Sequence, residues 1–343
     1  MVEALSGAVT GGRVAHAYLF AGPRGVGKTL TALQFAQRLN CTGEEPPCGR
    51  CRQCEQIAGG QHPDVEIMTL GGLCDEQEHR HNADDSRSIR VCQVRRLQRV
   101  VSRAPFNGAY RVVIIEPADA LEPVASNALL KTLEEPPDRV VIILVTDREE
   151  ALLPTIRSRA RRSGFGGLTA ADLERTLRTR WDVEPGRAAE LARLSGGRLG
   201  WAVVALHDDG VLERQRDALD RAEALASAPL SDRFAHAGEL GGRYSRDRAG
   251  VHGTLEAWQS WWRDILLTAA GREDQATHRD RLDRLRPLAS QCDVRSAVGA
   301  LRAIADAREQ LAENASPVLA LEVMMLALPR LRANAVADRL AGG

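Results

Sequence analysis

Eight residues, Gly22-Pro23-Arg24-Gly25-Val26-Gly27-Lys28-Thr29, have the G-x-x-x-x-G-K-[ST] spacing of a loop that wraps phosphate groups. In such a loop, backbone N–H groups face the phosphates, the lysine ammonium meets the β and γ oxygens, and the next hydroxyl meets Mg2+. Gly22, Gly25, Gly27, Lys28 and Thr29 are therefore candidate nucleotide-binding residues. The lysine is informative in itself. It is one of only two among 46 basic residues, the other being Lys131. A compact ammonium fits where the broader, planar guanidinium of arginine does not.

A second cluster has the residues for metal chemistry. Cys41, Cys48, Cys51 and Cys54 follow a C-x6-C-x2-C-x2-C spacing. Four thiolates so placed can close a tetrahedron around Zn2+, and a site with no open coordination position is structural rather than catalytic. Pro46-Pro47 and Gly49 supply the tight turns of such a knuckle. A redox pair or four unrelated core thiols are the other readings of the same residues. Cys74, Cys92 and Cys292 have no partner in the sequence and are expected to be free thiols.

These groups need elements to hold them. Tyr18-Leu19-Phe20-Ala21 reads as a short buried strand, and Ala32, Phe35, Ala36 and Leu39 recur at helical spacing after the loop. Strand, glycine loop, helix is the order that puts a helix N-terminus at the phosphates. Val65–Met68, Arg111–Ile115 and Arg139–Val145 are further strand-like runs. Val94, Leu97 and Val101 mark one intervening helix; Ala125, Ala128, Leu129, Thr132 and Leu133 mark another, stopped by Pro136-Pro137. This alternation predicts a doubly wound α/β domain on a mostly parallel sheet. Asn107-Gly108 signals a turn into the third strand. The polar, acidic stretch 71–88 reads as a surface loop with solvated histidines. Past Phe165-Gly166-Gly167 the strand signals fade. Residues 169–205 read as a small helical unit broken at Ser195-Gly196-Gly197, and the rest is helical, with interruptions expected at Pro287 and Pro317.

The composition limits the function. A chain of 343 residues is long enough for two or three domains. Its 46 acidic residues balance 46 basic ones, so no global charge drives it to nucleic acid or membrane. Neither a membrane-spanning apolar run nor a signal-peptide pattern is present, and seven cysteines, four of them clustered, do not form a secreted disulfide framework. A cytoplasmic protein is expected.

Several segments together resemble one family. His16-Ala17-Tyr18-Leu19-Phe20, the phosphate loop, the four-cysteine module, Asn127-Ala128-Leu129-Leu130-Lys131-Thr132-Leu133-Glu134-Glu135-Pro136-Pro137 and Leu153-Pro154-Thr155-Ile156-Arg157-Ser158-Arg159 are similar to the bacterial clamp-loader AAA+ subunits of DNA polymerase III. Asn314-x2-Pro317-x-Leu319-Ala320-Leu321-Glu322 resembles the end of that family's helical collar. The resemblance implies an AAA+ P-loop domain over 1–167 with a zinc module at 41–54, a helical lid domain over 168–207 and an all-α collar over 208–343 used in oligomerisation. It also implies structural Zn2+, and it leaves binding of ATP with Mg2+ open. The implied partners are gamma/tau and delta clamp-loader subunits, the sliding clamp and, through the complex, primed DNA at the replisome.

Within this family, motor subunits of the gamma/tau type differ from a stator-like delta-prime type. Motors end an apolar strand in Asp-Glu-Ala-His, where the Asp helps to hold Mg2+ and the Glu polarises the attacking water. Here the run Val112-Val113-Ile114-Ile115-Glu116-Pro117-Ala118-Asp119 puts Glu116 and Pro117 at those positions, and proline has no carboxylate to orient water. Asp119 is expected to point elsewhere. Motors also carry a sensor arginine in a Gly-x-x-Arg-Asp-Ala pattern. Gly197-Arg198-Leu199-Gly200-Trp201-Ala202 puts Gly200 at that position, with Arg198 about 200° round a helix from it. Thr146 matches the first sensor position. Family members also have an upstream segment that helps to form the adenine pocket, so either the pocket is incomplete or the true start lies upstream.

Ser158-Arg159-Ala160 matches the family's Ser-Arg-Cys motif, which offers an arginine finger to ATP held by a neighbouring subunit, so the resemblance implies a catalytic role in trans for Arg159. The bland reading is a surface arginine in a basic run with Arg157, Arg161 and Arg162. Trp258, Trp261 and Trp262 share one helix face and are expected at a subunit interface. The expectation is a delta-prime-type stator within the polymerase holoenzyme, with no polymerase activity and little or no ATPase activity of its own. The rivals are a gamma/tau-like ATPase motor and a stand-alone zinc-containing nucleic-acid-binding protein.

Overall fold

The structure, a computed structural model, describes residues 2–74, 86, 88–313 and 315–331. Most of the expected 71–88 loop, and Asn314, lie outside these residues. The chain divides into two compact units. Residues up to Leu173 together with Gly197–Trp201 form one, and Glu174–Gly196 with the chain from Ala202 form the other.

The first unit runs α1 (Val2–Thr10), β1 (Ala17–Ala21), α2 (Lys28–Asn40), α3 (Arg52–Ala58), β2 (Val65–Met68), α4 (Val91–Val101), β3 (Arg111–Ile115), α5 (Pro123–Glu134), β4 (Val140–Thr146), α6 (Pro154–Arg157) and β5 (Arg161–Gly164). The strands form a sheet in the order β2-β3-β4-β1-β5, and every pairing among the described residues is parallel. A parallel sheet with crossover helices buries both faces, so its strands are apolar at successive positions rather than alternately. Val113, Ile115, Ile142 and Leu144 face the cluster that holds Val94 and Leu97 of α4 and Leu129 and Leu133 of α5. Val112, Ile114, Val141 and Ile143 face Ala32, Phe35 and Leu39 of α2.

The expected strands and helices of this unit all form. β4 begins one residue late, because Arg139 adopts a left-handed φ of 56° in the turn before it. β5 was not expected. Its sequence Arg-Arg-Ser-Gly carries no apolar pattern, because it is an edge strand paired only with β1 and its side chains lie largely in solvent.

The second unit is helical, with α7 (Ala170–Trp181), whose first turn lies in the first unit, α8 (Pro185–Leu194), α9 (Leu199–His207), α10 (Asp209–Ser227), α11 (Leu230–Arg243), α12 (Arg248–Ala269), α13 (Leu282–Ala289), α14 (Val294–Ala312) and α15 (Pro317–Ala327). Two expectations are corrected here. Trp258, Trp261 and Trp262 are not at an interface; they fill the core of this unit, each at most 2% exposed, with Trp258 donating to Ala218 O at 2.9 Å. Pro287 does not interrupt the chain either: it sits inside α13. Pro317 does mark a break, at the first turn of α15, where its missing N–H costs nothing.

Arg233 joins the C-terminal ends of two helices. Its buried guanidinium donates to Leu225 O and Ala226 O near the end of α10 and to Leu328 O and Pro329 O after α15, at 2.7–3.1 Å. Leu225 O and Ala226 O lie in the last turn of α10, at the negative pole of its dipole, and Leu328 O and Pro329 O lie just past α15. Arg233→Met should therefore destabilise this unit by about 3 kcal/mol or more, since several carbonyls lose a charged donor together. Urea unfolding followed by tryptophan fluorescence measures this, and an unchanged midpoint would show that the clamp contributes nothing.

Candidate functional site

The phosphate loop lies between the C-terminal end of β1 and the first turn of α2. Gly22, Gly25 and Gly27 have φ of 155°, 74° and 93°. At Gly22 a Cβ would lie 2.1 Å from Phe165 O, so the first position of the loop admits only glycine. Lys28 is 7% exposed, and its Nζ donates to Gly22 O and Pro23 O, both at 2.7 Å. Burial lowers the pKa of its ammonium, although Asp147 and Glu116 pull the other way.

Glu116 directly follows β3 and accepts a hydrogen bond from Thr29 Oγ1 at 2.6 Å. A hydroxyl and a carboxylate so paired are the two protein groups that such a site offers to Mg2+. Pro117 follows directly and brings no carboxylate beside this pair. Asp119 turns to the end of β4: it accepts from Thr146 Oγ1 at 2.8 Å and pairs with Arg148 at 3.1 Å. It is pinned there by both partners. Thr146 Oγ1 also accepts from Arg148 N at 3.0 Å, so the hydroxyl serves to close the strand.

Sequence reading missed Asp147, which pairs with Arg24 of the loop. Burial would raise its carboxyl, but Arg24 and Lys28 outweigh burial and hold it below the usual carboxylate range. Gly200 also reaches this site. It brings a backbone N–H rather than a side chain, donated to Gly25 O at 2.7 Å.

The four cysteines come together beside α2. Cys41 follows α2 directly, Cys51 caps α3, and Cys54 is buried within α3. Their sulfurs all lie within 4.8 Å of one another, with Cys51 Sγ 3.9 Å from Cys41 Sγ, and none is in a disulfide. A tetrahedral zinc with Zn–S bonds of ~2.3 Å needs sulfurs ~3.8 Å apart. Backbone N–H groups already point at the sulfurs: Gly43 N and Cys48 N lie 3.3 and 3.4 Å from Cys41 Sγ. Amides of Cys54 and Thr42 draw the Cys51 thiol down to about 5, whereas burial pushes Cys54 up to about 12. The donor set fits a structural metal such as zinc. The module is tied to its surroundings by Gln37 Nε2 donating to Cys54 O and by Gln53 Nε2 donating to Asn107 O, at 2.8 and 3.0 Å.

Arg159 is placed apart from both clusters. It follows α6, and its guanidinium pairs with Glu134 at 2.7 Å and donates to Thr155 O at 2.9 Å. β5 starts opposite Tyr18, so Arg159 lies at the N-terminal ends of the strands. The phosphate loop leaves the opposite, C-terminal end of β1. Arg159 is therefore at the wrong end of the sheet to serve the chain's own loop.

A parallel sheet of this strand order, with a phosphate loop after β1 and a carboxylate just after β3, defines a P-loop domain of the AAA+ class. Within that class, the family described as "DNA polymerase III, delta subunit" matches residues 1–168. The DNA polymerase III subunit delta' of Pseudomonas aeruginosa is 37% identical over 233 residues, covering 65% of this chain and 67% of that protein. The protein of the same description in Bacillus subtilis is 28% identical over 317 residues, 92% of this chain and 91% of that one. The gamma/tau subunit of Mycobacterium tuberculosis is 38% identical over 163 residues, 47% of this chain but 26% of that longer protein. The chain belongs to the delta-prime family of DNA polymerase III clamp-loader subunits.

Proposed function

We propose that this subunit is a stator of the clamp loader: it does not turn over ATP and it supplies Arg159 to ATP held by an adjacent gamma/tau motor. The observation that carries the reading is the separation of two sets of parts. The chain's own loop is followed across the sheet by Pro117 rather than a carboxylate after Glu116, while Arg159 stands at the opposite end of the sheet from that loop, which supports a role toward another subunit. Hydrolysis by the motors then drives opening of the sliding clamp and its transfer to primed DNA. In this reading the chain has an AAA+ domain over 1–167, a lid over 168–207 and a collar over 208–343, works in the cytoplasm and holds one structural zinc on Cys41, Cys48, Cys51 and Cys54. Gly22, Gly25, Gly27, Lys28, Thr29, Glu116 and Thr146 are a nucleotide site without hydrolytic machinery.

One observation favours the rival reading, a gamma/tau-like ATPase. The Thr29–Glu116 hydrogen bond keeps a Mg2+-binding pair in place. Reconstitution with gamma/tau, delta and the clamp separates the two readings. On the stator reading, Lys28→Ala leaves clamp loading within about twofold of wild type, because phosphate contacts here drive no chemistry. Loss of loading in a fully assembled Lys28→Ala complex would favour the motor.

A further inference from the structure

The phosphate loop is bonded to its own chain on nearly every side. Lys28 closes on the carbonyls of Gly22 and Pro23, and the carbonyl of Gly25 accepts from Gly200 N at 2.7 Å. Residues 197–201 belong to the same compact unit as the loop, although they come some 170 positions later in the chain. Both ends of this short segment are fastened. At one end Leu168 N donates to Gly197 O at 2.9 Å, and at the other Gly200 meets the crown of the loop. Both fastenings depend on glycine. A Cβ at Gly197 would lie 2.6 Å from Leu168 O, and one at Gly200 would lie 3.0 Å from Gly25 O and 3.4 Å from Gly25 C and Cα. Between them, the Arg198 guanidinium rests over the Trp201 ring at 6.0 Å, and Trp201 N and Arg198 Cβ also border Gly25.

We infer that Gly197–Trp201 is a strap that holds the phosphate loop in its binding shape without nucleotide, and that Gly200 is the residue that makes the seal possible. The inference rests on reading this site as one that drives no hydrolysis, and it states how the site is regulated: the strap, not a ligand, keeps the loop ordered. The physical reason is satisfaction of backbone groups. The carbonyls of Gly22, Pro23 and Gly25 and the first free N–H groups of α9 are groups that a loop or a helix end otherwise leaves to water or to a ligand. Here the Lys28 ammonium satisfies Gly22 O and Pro23 O, and Gly200 N, in the first turn of α9, satisfies Gly25 O. A Cβ at position 200 crowds backbone atoms of Gly25, which cannot swing aside, so the contact must widen by a few tenths of an ångström and the Gly200–Gly25 hydrogen bond weakens.

Hydrogen exchange of the full-length, zinc-loaded protein tests this. Without nucleotide, peptides covering 22–29 and 197–203 should both be protected, and adding Mg2+ with ATP or ADP should change their exchange by less than about twofold. Gly200→Ala should speed exchange in both peptides by about tenfold, the loss of one backbone hydrogen bond felt on both sides of the contact. Two results overturn the inference: exchange of 197–203 at the rate of an open loop in nucleotide-free wild type, or protection that arrives only with nucleotide. Unchanged exchange in folded Gly200→Ala overturns it as well. Should that variant not fold, the wild-type comparison alone decides. Exchange and ATP turnover fail independently, so a loose strap in a chain without ATPase activity counts against the strap and leaves the stator reading standing.

Discussion

With Arg159 changed to alanine, the assembled loader loses turnover at one motor site by about 10³-fold or more, while its subunits still elute together. The magnitude follows from where charge develops: an arginine held against the transferring phosphoryl group stabilises the transition state more than the ground state. Assembly survives because little depends on this side chain in the isolated chain. It is 35% exposed, and its ion pair with Glu134, itself 49% exposed, is of the kind that contributes little to folding. Glu134 holds the guanidinium at the surface, and on the stator reading phosphate oxygens replace its carboxylate. Lysine at position 159 should restore little, since it lacks the planar fork that spans two oxygens. DNA- and clamp-stimulated ATPase of the complete loader, with gel filtration beside it, gives the answer. Unchanged turnover would return Arg159 to the basic surface run of Arg157, Arg161 and Arg162.

The second large effect concerns the cysteine module. Protein purified without added metal should contain about one equivalent of zinc, and Cys48→Ser with Cys51→Ser should reduce it to near zero. Structural zinc contributes about 10–16 kcal/mol of binding free energy in small folds, far more than any other interaction the 41–58 stretch can make. Few apolar groups hold that stretch: of its side chains, Cys54 and Ile57 are buried. Removing the metal should open residues 42–50 to protease while the fluorescence of the Trp258, Trp261 and Trp262 core, which lies in the other compact unit, stays unchanged. A metal-free protein with four titratable thiols and a protease-resistant module would contradict the zinc assignment.

The two sites were legible in the sequence to different depths. The phosphate loop and the cysteine knuckle each depend on residues close together in the chain, and spacing alone placed them. The four apolar strands were legible because a sheet covered on both faces needs continuous apolar runs. β5 was hidden because it needs none. Contacts between distant segments left no local signal: Asp147 on Arg24, Glu134 on Arg159, and Gly200 on Gly25. Gly200 read as a missing arginine, and the structure adds that its lack of a side chain permits a contact. The tryptophans misled because i, i+3, i+4 spacing marks a buried face without saying what buries it, and α12 is enclosed by its own unit. Asp119 was expected to point elsewhere and does, toward Thr146 at the end of β4 and Arg148 just after it, partners that no local pattern reveals.

The central claim is that this chain holds a phosphate loop and drives no chemistry with it. The most direct test is ATP turnover by the isolated, zinc-loaded protein, measured as released phosphate in saturating Mg2+ and ATP, beside a gamma/tau subunit. The account predicts no release above background from this chain, in wild type and Lys28→Ala alike. Turnover on the order of one per second, ordinary for an enzyme, that disappears in Lys28→Ala would contradict it and make the chain a motor.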